Sequence, residues 1–582
     1  MEKAQAFILS NAGDKEINMN KNLILLVILI LGFCLNIYGI NWGLPHRWNV
    51  DEQVATTLHM IGDHSLVPRD LTHPPLYFYC LALFLCPYLI FLKITNYPFN
   101  IITEAASVSW LKLSLVDPAF AINIYLIARL LSAIFGVLTI YAVFLIGKRL
   151  YDENLGLISA LILSVCMGFS SINHFAQGTS LVNLLCIITV VFCLKAIDEN
   201  EFRKNFYLAC LFSGLTFAAK YNGAILIVPL ITAYVLIYRK SVFKQNIVFN
   251  RQAWGGIFSY LAGILIGWPT LLTNFKNYYG LLFTKDHTSI FVKYPDYATV
   301  NAKSGYFQGM INYSIELIHI FGLPLALFVT AGIIYCVFML FKRDSFIKKD
   351  KLILLFSCVL PYYLIICSFN RPPLVKYAII VIPFMANIGA IAIYKFISAL
   401  KFHRIRYLFV VFTFVFSILY TFSSDLIFAK NDTRYKVAQW INKNIPENST
   451  IEIFTQPSWV LSDKIFPRQN IVFLGRSSFE SKNSNIYNAF KDSNATFNSL
   501  EDYFKDIPKN GLRSDYILIP YFDDIDNYLL TGPQGDKFIY NLLKGRLNYK
   551  FIKEFSSNSN WLWNIKTDYT SPTIFLFKRR GP

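Results

Sequence analysis

Residues 121–147 read AINIYLIARLLSAIFGVLTIYAVFLIG, an apolar run with a single charge, Arg129, and Lys148-Arg149 follow at once. A helix needs about 20 mostly apolar residues to cross the hydrocarbon core of a bilayer. This run is long enough and predicts a span. The basic pair predicts that its C-terminal end is cytoplasmic, because cytoplasmic loops carry the excess of Lys and Arg. Arg129 then lies near the opposite end, inside the span, where an ionisable group is costly and needs a partner.

The same pattern repeats outward from this stretch. Apolar runs at roughly 22–40, 155–172, 180–195, 206–221, 223–238, 254–272, 321–341, 352–369, 377–398 and 407–424 predict further spans, eleven in all. The intervening basic loops, including Lys195 with Arg203-Lys204 and Lys348-Lys349, alternate with less basic ones and predict a consistent topology with the C-terminus outside. Residues 76–93 are also apolar, but parity objects to a single crossing there. Either they lie along or re-enter the outer interface, which is preferred, or a weak partner near 100–116 completes a pair and raises the total to 13.

Composition agrees with this reading. Of 582 residues, 55% are hydrophobic and 15% charged, against about 25% charged in soluble domains. A soluble enzyme and a disordered chain are both excluded. The net charge of 54 − 36 = +18 would suggest nucleic acid in a soluble protein. Here the cytoplasmic loops account for it, and no nucleic-acid partner is expected. The ten cysteines all lie at or before Cys367, show no metal-type spacing, and read as small apolar fillers.

Composition changes near residue 430. Residues 429–582 are polar and alternate helix-like stretches (YKVAQWINKNIP) with strand-like runs (TIEIFT, NIVFLG, DYILIPY, TIFLFK). This alternation predicts a small α/β domain. The expected organisation is a cytoplasmic tail at 1–21, a transmembrane part at 22–428 with long outer loops at about 41–75 and 273–310, and an extracytoplasmic α/β domain at 429–582.

Polar residues that break the membrane pattern gather on the outer side. In the first long loop, Val54, Leu58 and Ile61 recur at helical spacing beside polar neighbours, predicting a helix on the membrane surface with Asp51-Glu52 at its start. One reading is that Asp51 or Glu52 caps that helix. The other is that Asp51 is a general base at the membrane–water boundary, able to deprotonate a hydroxyl, as a carboxylate does to water in inverting sugar hydrolysis. Lys220, Arg371, Lys376 and Arg129 lie on the same side, where positive-inside bias does not explain them. Snorkelling suits a single cation, but a set of four suits a phosphate at the headgroup level. His73, His174, Tyr221, His287 and Tyr377 are candidate substrate contacts beside them. Trp42, Trp48 and Trp268 read as interfacial belt residues.

In order along the chain stand Asp51-Glu52, His73-Pro74-Pro75-Leu76-Tyr77, Ala128-Arg129-Leu130-Leu131-Ser132-Ala133, Gly147-Lys148-Arg149-Leu150-Tyr151, Asn173-His174-Phe175-Ala176, Lys220-Tyr221-Asn222-Gly223 and Lys376-Tyr377. Together they resemble the type C membrane glycosyltransferases. More closely they resemble bacterial relatives of the dolichyl-phosphate-mannose protein mannosyltransferases and of the lipid A aminoarabinose transferase. The resemblance implies a helical bundle with a small outer α/β domain in a bacterial inner membrane. It also implies sugar transfer from a polyprenyl-phosphate donor, among membrane lipids, to a glycolipid, polysaccharide or protein acceptor. Asp51 is the implied catalytic base with Glu52 the accompanying acid, Lys220 and Lys376 hold the donor phosphate, and Arg129 supports the site. No cofactor is certain and a divalent metal stays open. Relatives often carry an acid shortly after the histidine equivalent to His174; here Gln177, Gly178, Thr179 and Ser180 follow instead. The competing readings are a transporter or flippase, which would favour ionisable groups at mid-membrane, and a non-catalytic scaffold.

Overall fold

The computed structural model describes residues 20–45, 49, 51–96, 117–198, 202–238, 251–283, 306–342, 346–368, 375–399, 403–429, 432–453, 468–473, 514–521, 541–542, 544–556 and 572–580. The helices are α1 Lys21–Ile37, α2 Val54–Gly62, α3 Leu76–Ile94, α4 Pro118–Leu150, α5 Glu153–Ser164, α6 Met167–Asn173, α7 Thr179–Asp198, α8 Phe202–Ala219, α9 Ile227–Tyr238 and α10 Arg251–Gly267. They continue as α11 Phe275–Phe283, α12 Tyr306–Phe321, α13 Leu323–Phe341, α14 Lys349–Ser368, α15 Val375–Ala378, α16 Ile382–Ala399, α17 His403–Ala429 and α18 Thr433–Asn444.

Each of the eleven expected spans has a helix at its place. Among the described residues, seven stretches are long and apolar enough to cross a membrane, or eight if the bent pair α5 and α6 forms one span. Shorter apolar helices, α1 among them, account for much of the difference. The chain is a multi-pass membrane protein. Residues 76–94 form one unbroken 19-residue helix, α3, long enough to cross; its possible partner at 100–116 lies outside the described residues.

Local sequence explains the helix that organises the bundle. Asp117 caps α4 by accepting from the Ala119 and Phe120 backbone N–H groups, and Pro118 occupies the first helical position. The 33 residues of α4 run about 50 Å at 1.5 Å per residue. Arg129 and Lys148 therefore sit about 28 Å apart along the axis, close to the thickness of the hydrocarbon core. At the Lys148 end, Glu153 pairs with both Lys148 and Lys21, and Lys351 pairs with Asp198.

The expected span at 155–172 is broken. Helices α5 and α6 meet at 63° around Val165 and Cys166. The break frees the Val165 carbonyl, which accepts from Thr421 Oγ1 of α17 at 2.7 Å. The chain then turns back through His174 to Gly178, all buried, and restarts as α7.

Helices α8 and α10 touch backbone to backbone. A Cβ on Gly263 would lie 2.1 Å from the Leu211 carbonyl oxygen, and one on Gly214 would lie 2.1 Å from that of Tyr260. Small residues permit this approach, a usual device between membrane helices. Gly263→Ala is expected to cost about 1–3 kcal/mol through overpacking, read as a lower thermal midpoint of the detergent-solubilised protein.

The C-terminal region holds a five-stranded mixed sheet, ordered β2-β1-β3-β5-β4. Its strands are β1 Thr450–Ile453, β2 Asn470–Phe473, β3 Tyr516–Tyr521, β4 Tyr549–Phe555 and β5 Thr573–Arg579. β1 is parallel to β2 and β3, and β5 is antiparallel to β3 and β4. Val437, Ala438 and Ile441 of α18 pack with Ile451, Ile453, Leu518, Ile574 and Leu576 of the sheet. The four strand-like runs are strands. β4 reads YKFIKEF, with exposed Lys550, Lys553 and Glu554. Charges of this kind protect an edge strand from unwanted pairing, and they hide it from a search for apolar runs.

Candidate active site

The site begins where the chain leaves α1. Asn49 Oδ1 accepts from the Asp51 backbone N–H at 2.9 Å, a side-chain turn that sets the entry to α2. The N-cap of α2 is Gln53, which makes no side-chain capping bond. The capping explanation for the acidic pair therefore fails, and each carboxylate has another partner.

Asp51 and Glu52 point to different surroundings. Lys376 Nζ donates to Asp51 Oδ2 at 2.8 Å, and the Asp51 side chain keeps 36% of its surface exposed. Glu52 is buried. Arg129 of α4 donates to it twice, Nε to Oε1 at 2.7 Å and Nη2 to Oε2 at 2.9 Å. The Ala176 backbone N–H donates to the same Oε1 at 3.1 Å. Arg129 also donates through Nη1 to the carbonyls of Ile40 and Trp42, at 2.6 and 2.8 Å. At 1% exposure Arg129 neither snorkels nor presents a donor to a ligand; it holds Glu52 and the turn after α1.

The loop after α6 interlocks with this segment. The Gln53 N–H donates to the Ala176 carbonyl at 2.9 Å, and the Gly178 N–H donates to Gln53 Oε1 at 3.1 Å. The next residue, Thr179, accepts from Lys220 Nζ at 3.1 Å. Lys220 leaves the end of α8 in extended conformation before the short 3-10 turn Tyr221–Leu226. Asp51, Lys220 and Lys376, from three distant parts of the chain, therefore meet on one frame, and His73 faces them from the loop before α3. The Thr72 hydroxyl donates to Asp70 Oδ1 at 2.5 Å and so accepts from His73 Nδ1 at 3.0 Å, which orients the ring.

The cations control the carboxylate. Burial pushes the Asp51 pKa up, but Lys376, Lys220 and His73 outweigh it and hold the group below its ordinary value. Burial pulls Lys220 down to about 8; Asp51 opposes that shift and Lys376 reinforces it. Burial, followed by the charge of Lys220, lowers His73, with Asp70 and Asp51 opposing.

Other expected site residues support this frame or lie apart from it. Tyr221 donates its hydroxyl to the Leu71 carbonyl at 3.2 Å and packs on Phe217 and Trp268, fixing the loop that carries His73. The Tyr377 ring lies 5.6 Å from Lys376 Nζ. His174 is not brought to the cluster. Its two ring nitrogens face the carbonyls of Ser170 and Tyr38 at 2.9 Å each, and Asp425 of α17 lies 4.0 Å from Nε2. Asp425 lies 251 residues beyond His174 in the chain (425 − 174). Arg371 and His287 lie outside the described residues.

Trp42 and Trp268 are 4% and 1% exposed, so they are core residues and not belt residues. Trp48 lies outside the described residues. Asn49, Gln53 and Thr179 went unnoticed in the sequence. Only Asn49, two residues before Asp51, carries a readable local signal. Among the described residues no group of three or more His, Cys, Asp or Glu could hold a metal ion.

Residues 123–266 match the family model for dolichyl-phosphate-mannose-protein mannosyltransferase. The match covers about a quarter of the chain and includes Arg129, His174 and Lys220. It leaves out Asp51, Glu52, His73 and Lys376. No curated protein matches the sequence. Several solved structures are similar to it. ArnT from Cupriavidus metallidurans bound to undecaprenyl phosphate has 12% identity and a TM-score of 0.48, covering 95% of this chain and 97% of that one. The archaeal oligosaccharyltransferase AglB from Archaeoglobus fulgidus, in complex with an inhibitory peptide and a dolichol-phosphate, has 13% identity and a TM-score of 0.43, covering 85% and 69%. The arabinofuranosyltransferase AftD from Mycobacteria has 10% identity and a TM-score of 0.40, covering 96% and 40%.

Proposed function

We propose that this chain is an integral membrane glycosyltransferase of the mannosyltransferase-like type. In this reading it transfers a sugar from a polyprenyl-phosphate donor to an acceptor hydroxyl at the non-cytoplasmic face, with inversion. The observation that carries the reading is the half-exposed Asp51 carboxylate set among Lys376, Lys220 and His73. One carboxylate with two lysines matches what the transfer needs: a base for the incoming hydroxyl and positive charge for the departing phosphate.

The reaction balances as follows. Asp51 accepts the acceptor's hydroxyl proton as that oxygen bonds the anomeric carbon from the face opposite the phosphate. The anomeric carbon–oxygen bond breaks, and its electron pair leaves on the polyprenyl phosphate. Lys376 and Lys220 stabilise the charge that develops there, which removes the need for a general acid. Glu52 and Arg129 act as positioning residues, holding the turn and α2 around the base. The family match over residues 123–266, which takes in Arg129 and Lys220, supports the transferase reading, while Asp51, Glu52 and Lys376 lie outside it. The basic clusters at the Lys148 end of α4, about one hydrocarbon thickness from Arg129, support an outward-facing site.

The test compares cell-envelope glycolipids and glycoproteins by mass spectrometry in a deletion strain, a wild-type complement and an Asp51→Asn complement at equal membrane abundance. One sugar-sized mass lost in the deletion, regained with wild type and absent with Asp51→Asn supports transfer and names the acceptor class. Full recovery with Asp51→Asn sinks it and favours transport or scaffolding.

An alkaline limit also follows. Lys220 carries its charge below about 8 and loses it as pH rises through that value. In the free enzyme, kcat/KM is expected to fall above about pH 8, and Lys220→Arg, which stays charged, is expected to remove that fall while retaining donor binding. An unchanged alkaline limb in Lys220→Arg would assign it to another group.

A further inference from the structure

The polypeptide just before α18 reaches back into the frame of the site. The indole N–H of Trp42 donates to Asp432 Oδ2 at 3.2 Å. Asp432 Oδ1 accepts from Arg434 Nε at 3.0 Å and from the Arg434 backbone N–H at 2.9 Å. The Arg434 guanidinium lies 5.4 Å from the Trp42 ring centroid, within cation–π range. The Tyr435 hydroxyl donates to the Leu44 carbonyl at 3.1 Å, and Thr433 Oγ1 donates to the Pro572 carbonyl at 2.7 Å, next to β5. Asp432 and Arg434 are almost wholly buried, at 1% and 0% exposure.

Trp42 therefore faces two ways. Its ring packs edge-on against Phe175 and Phe428 under Arg434, while its carbonyl accepts from Arg129. Arg129 holds Glu52 bidentately, and Glu52 adjoins Asp51. A continuous run of directed contacts thus leads from the start of the C-terminal region, through the turn at 40–44, to the carboxylate proposed as base. A buried bidentate ion pair has little freedom to tilt, so displacing the turn displaces Glu52 with it.

We infer that Asp432 and Arg434 are positioning residues for the transfer reaction: by clamping Trp42 they fix the turn at 40–44 and, through Arg129 and Glu52, the placement of Asp51. The C-terminal region is then a part of the active site's framework, and removing or loosening it lowers turnover even when donor and acceptor still bind. This inference rests on the reading of Asp51 as the general base.

The experiment uses the full-length chain, purified with lipid, in four forms: wild type, Trp42→Phe, Arg434→Lys and Asp51→Asn. Trp42→Phe keeps an aromatic ring at the position and removes the N–H to Asp432 together with one ring of the indole. Arg434→Lys keeps the charge and loses the planar guanidinium and the Nε–H donor. Initial rates are measured with the polyprenyl-phosphate sugar and the acceptor fraction identified by the envelope comparison, and binding of polyprenyl phosphate itself is measured separately. A misplacement of about 1 Å costs about 100-fold in rate. Trp42→Phe and Arg434→Lys are therefore expected to lower kcat by about 10- to 100-fold, with both KM values and polyprenyl phosphate binding within about threefold of wild type. The acid limb of kcat/KM is expected to move upward as well, because Asp51 loses register with Lys376, Lys220 and His73 while Glu52 and Arg129 shift beside it.

A raised acceptor KM with unchanged kcat and an unmoved acid limb would overturn the inference, leaving the C-terminal region as an acceptor-recruiting element only. Wild-type kinetics in Trp42→Phe would overturn it too, and that variant decides the matter if Arg434→Lys does not fold. Asp51→Asn separates the two levels. Retained turnover there sinks the base assignment itself. Lost turnover there, with kcat intact in the Trp42 variant, sinks only the positioning role.

Discussion

Asp51→Asn is expected to lower sugar transfer by about 100- to 10,000-fold, the range supplied by general base catalysis. Binding of polyprenyl phosphate should stay within a few-fold of wild type. The substitution keeps the volume of the side chain and its ability to accept a hydrogen bond from Lys376, so folding should be unaffected. It removes the carboxylate that faces Lys376, Lys220 and His73. That setting also determines the pH dependence. Burial alone would raise the Asp51 pKa, and Lys376, Lys220 and His73 reverse its effect. The base thus stays ionised at pH values where an ordinary carboxylate, near 4, would be half protonated, and it becomes inactive only below that range. Lys376→Met removes the partner at 2.8 Å and leaves burial less opposed. The acid limb of kcat/KM should then move up, in addition to weaker donor binding. An acid limb that does not move on losing Lys376 would mean that Asp51 is not the group titrating.

Arg129→Met is expected to be the most damaging single change to stability, about 3–5 kcal/mol. The side chains of the Arg129–Glu52 pair are 1% and 0% exposed. Without the guanidinium, Glu52 loses both charge-assisted hydrogen bonds of the pair, and the carbonyls of Ile40 and Trp42 lose the donor they share. Domain stabilities are only about 5–15 kcal/mol, so a loss of this size should appear as a low yield of folded protein and a clear drop in thermal midpoint. The double variant Arg129→Met with Glu52→Gln removes the stranded charge and should recover part of the loss. Lys148→Ala provides the contrast. Its pair with Glu153 has side chains 49% and 40% exposed, and exposed pairs contribute little to stability. Equal losses from Arg129→Met and Lys148→Ala would refute the buried-clamp account.

The membrane part of the fold was legible because apolar length is a strong signal, and each expected span has a helix at its place. The break between α5 and α6 was not legible. No proline marks it, and the freed Val165 carbonyl is satisfied by Thr421, 256 residues away, which no local pattern reveals. β4 was missed because Lys550, Lys553 and Glu554 interrupt its apolar residues. At the site, Asp51, Lys220 and Lys376 stood out as polar residues in the wrong surroundings, and the structure groups them. Their pairing did not stand out, since side-chain partners hundreds of residues apart leave no spacing to read. Thr179, Asp432 and Arg434 each resemble an ordinary helix start. Trp42 and Trp268 resembled an interfacial belt because composition cannot distinguish a tryptophan beside lipid from one enclosed by protein.

The contact between Asp51 and Lys376 spans 325 positions of the chain, and this has a consequence for biosynthesis. At about 5–20 residues per second, a ribosome takes roughly 15–65 s to add the lysine after it has added the aspartate. Through that interval the nascent chain already has its base but lacks the neighbour that tunes it. A chain truncated anywhere before α15 is therefore expected to be inert, even with every earlier helix correctly inserted. Under the proposed role of Asp51, catalytic competence would be acquired late, in a single step, when the last helices join the bundle.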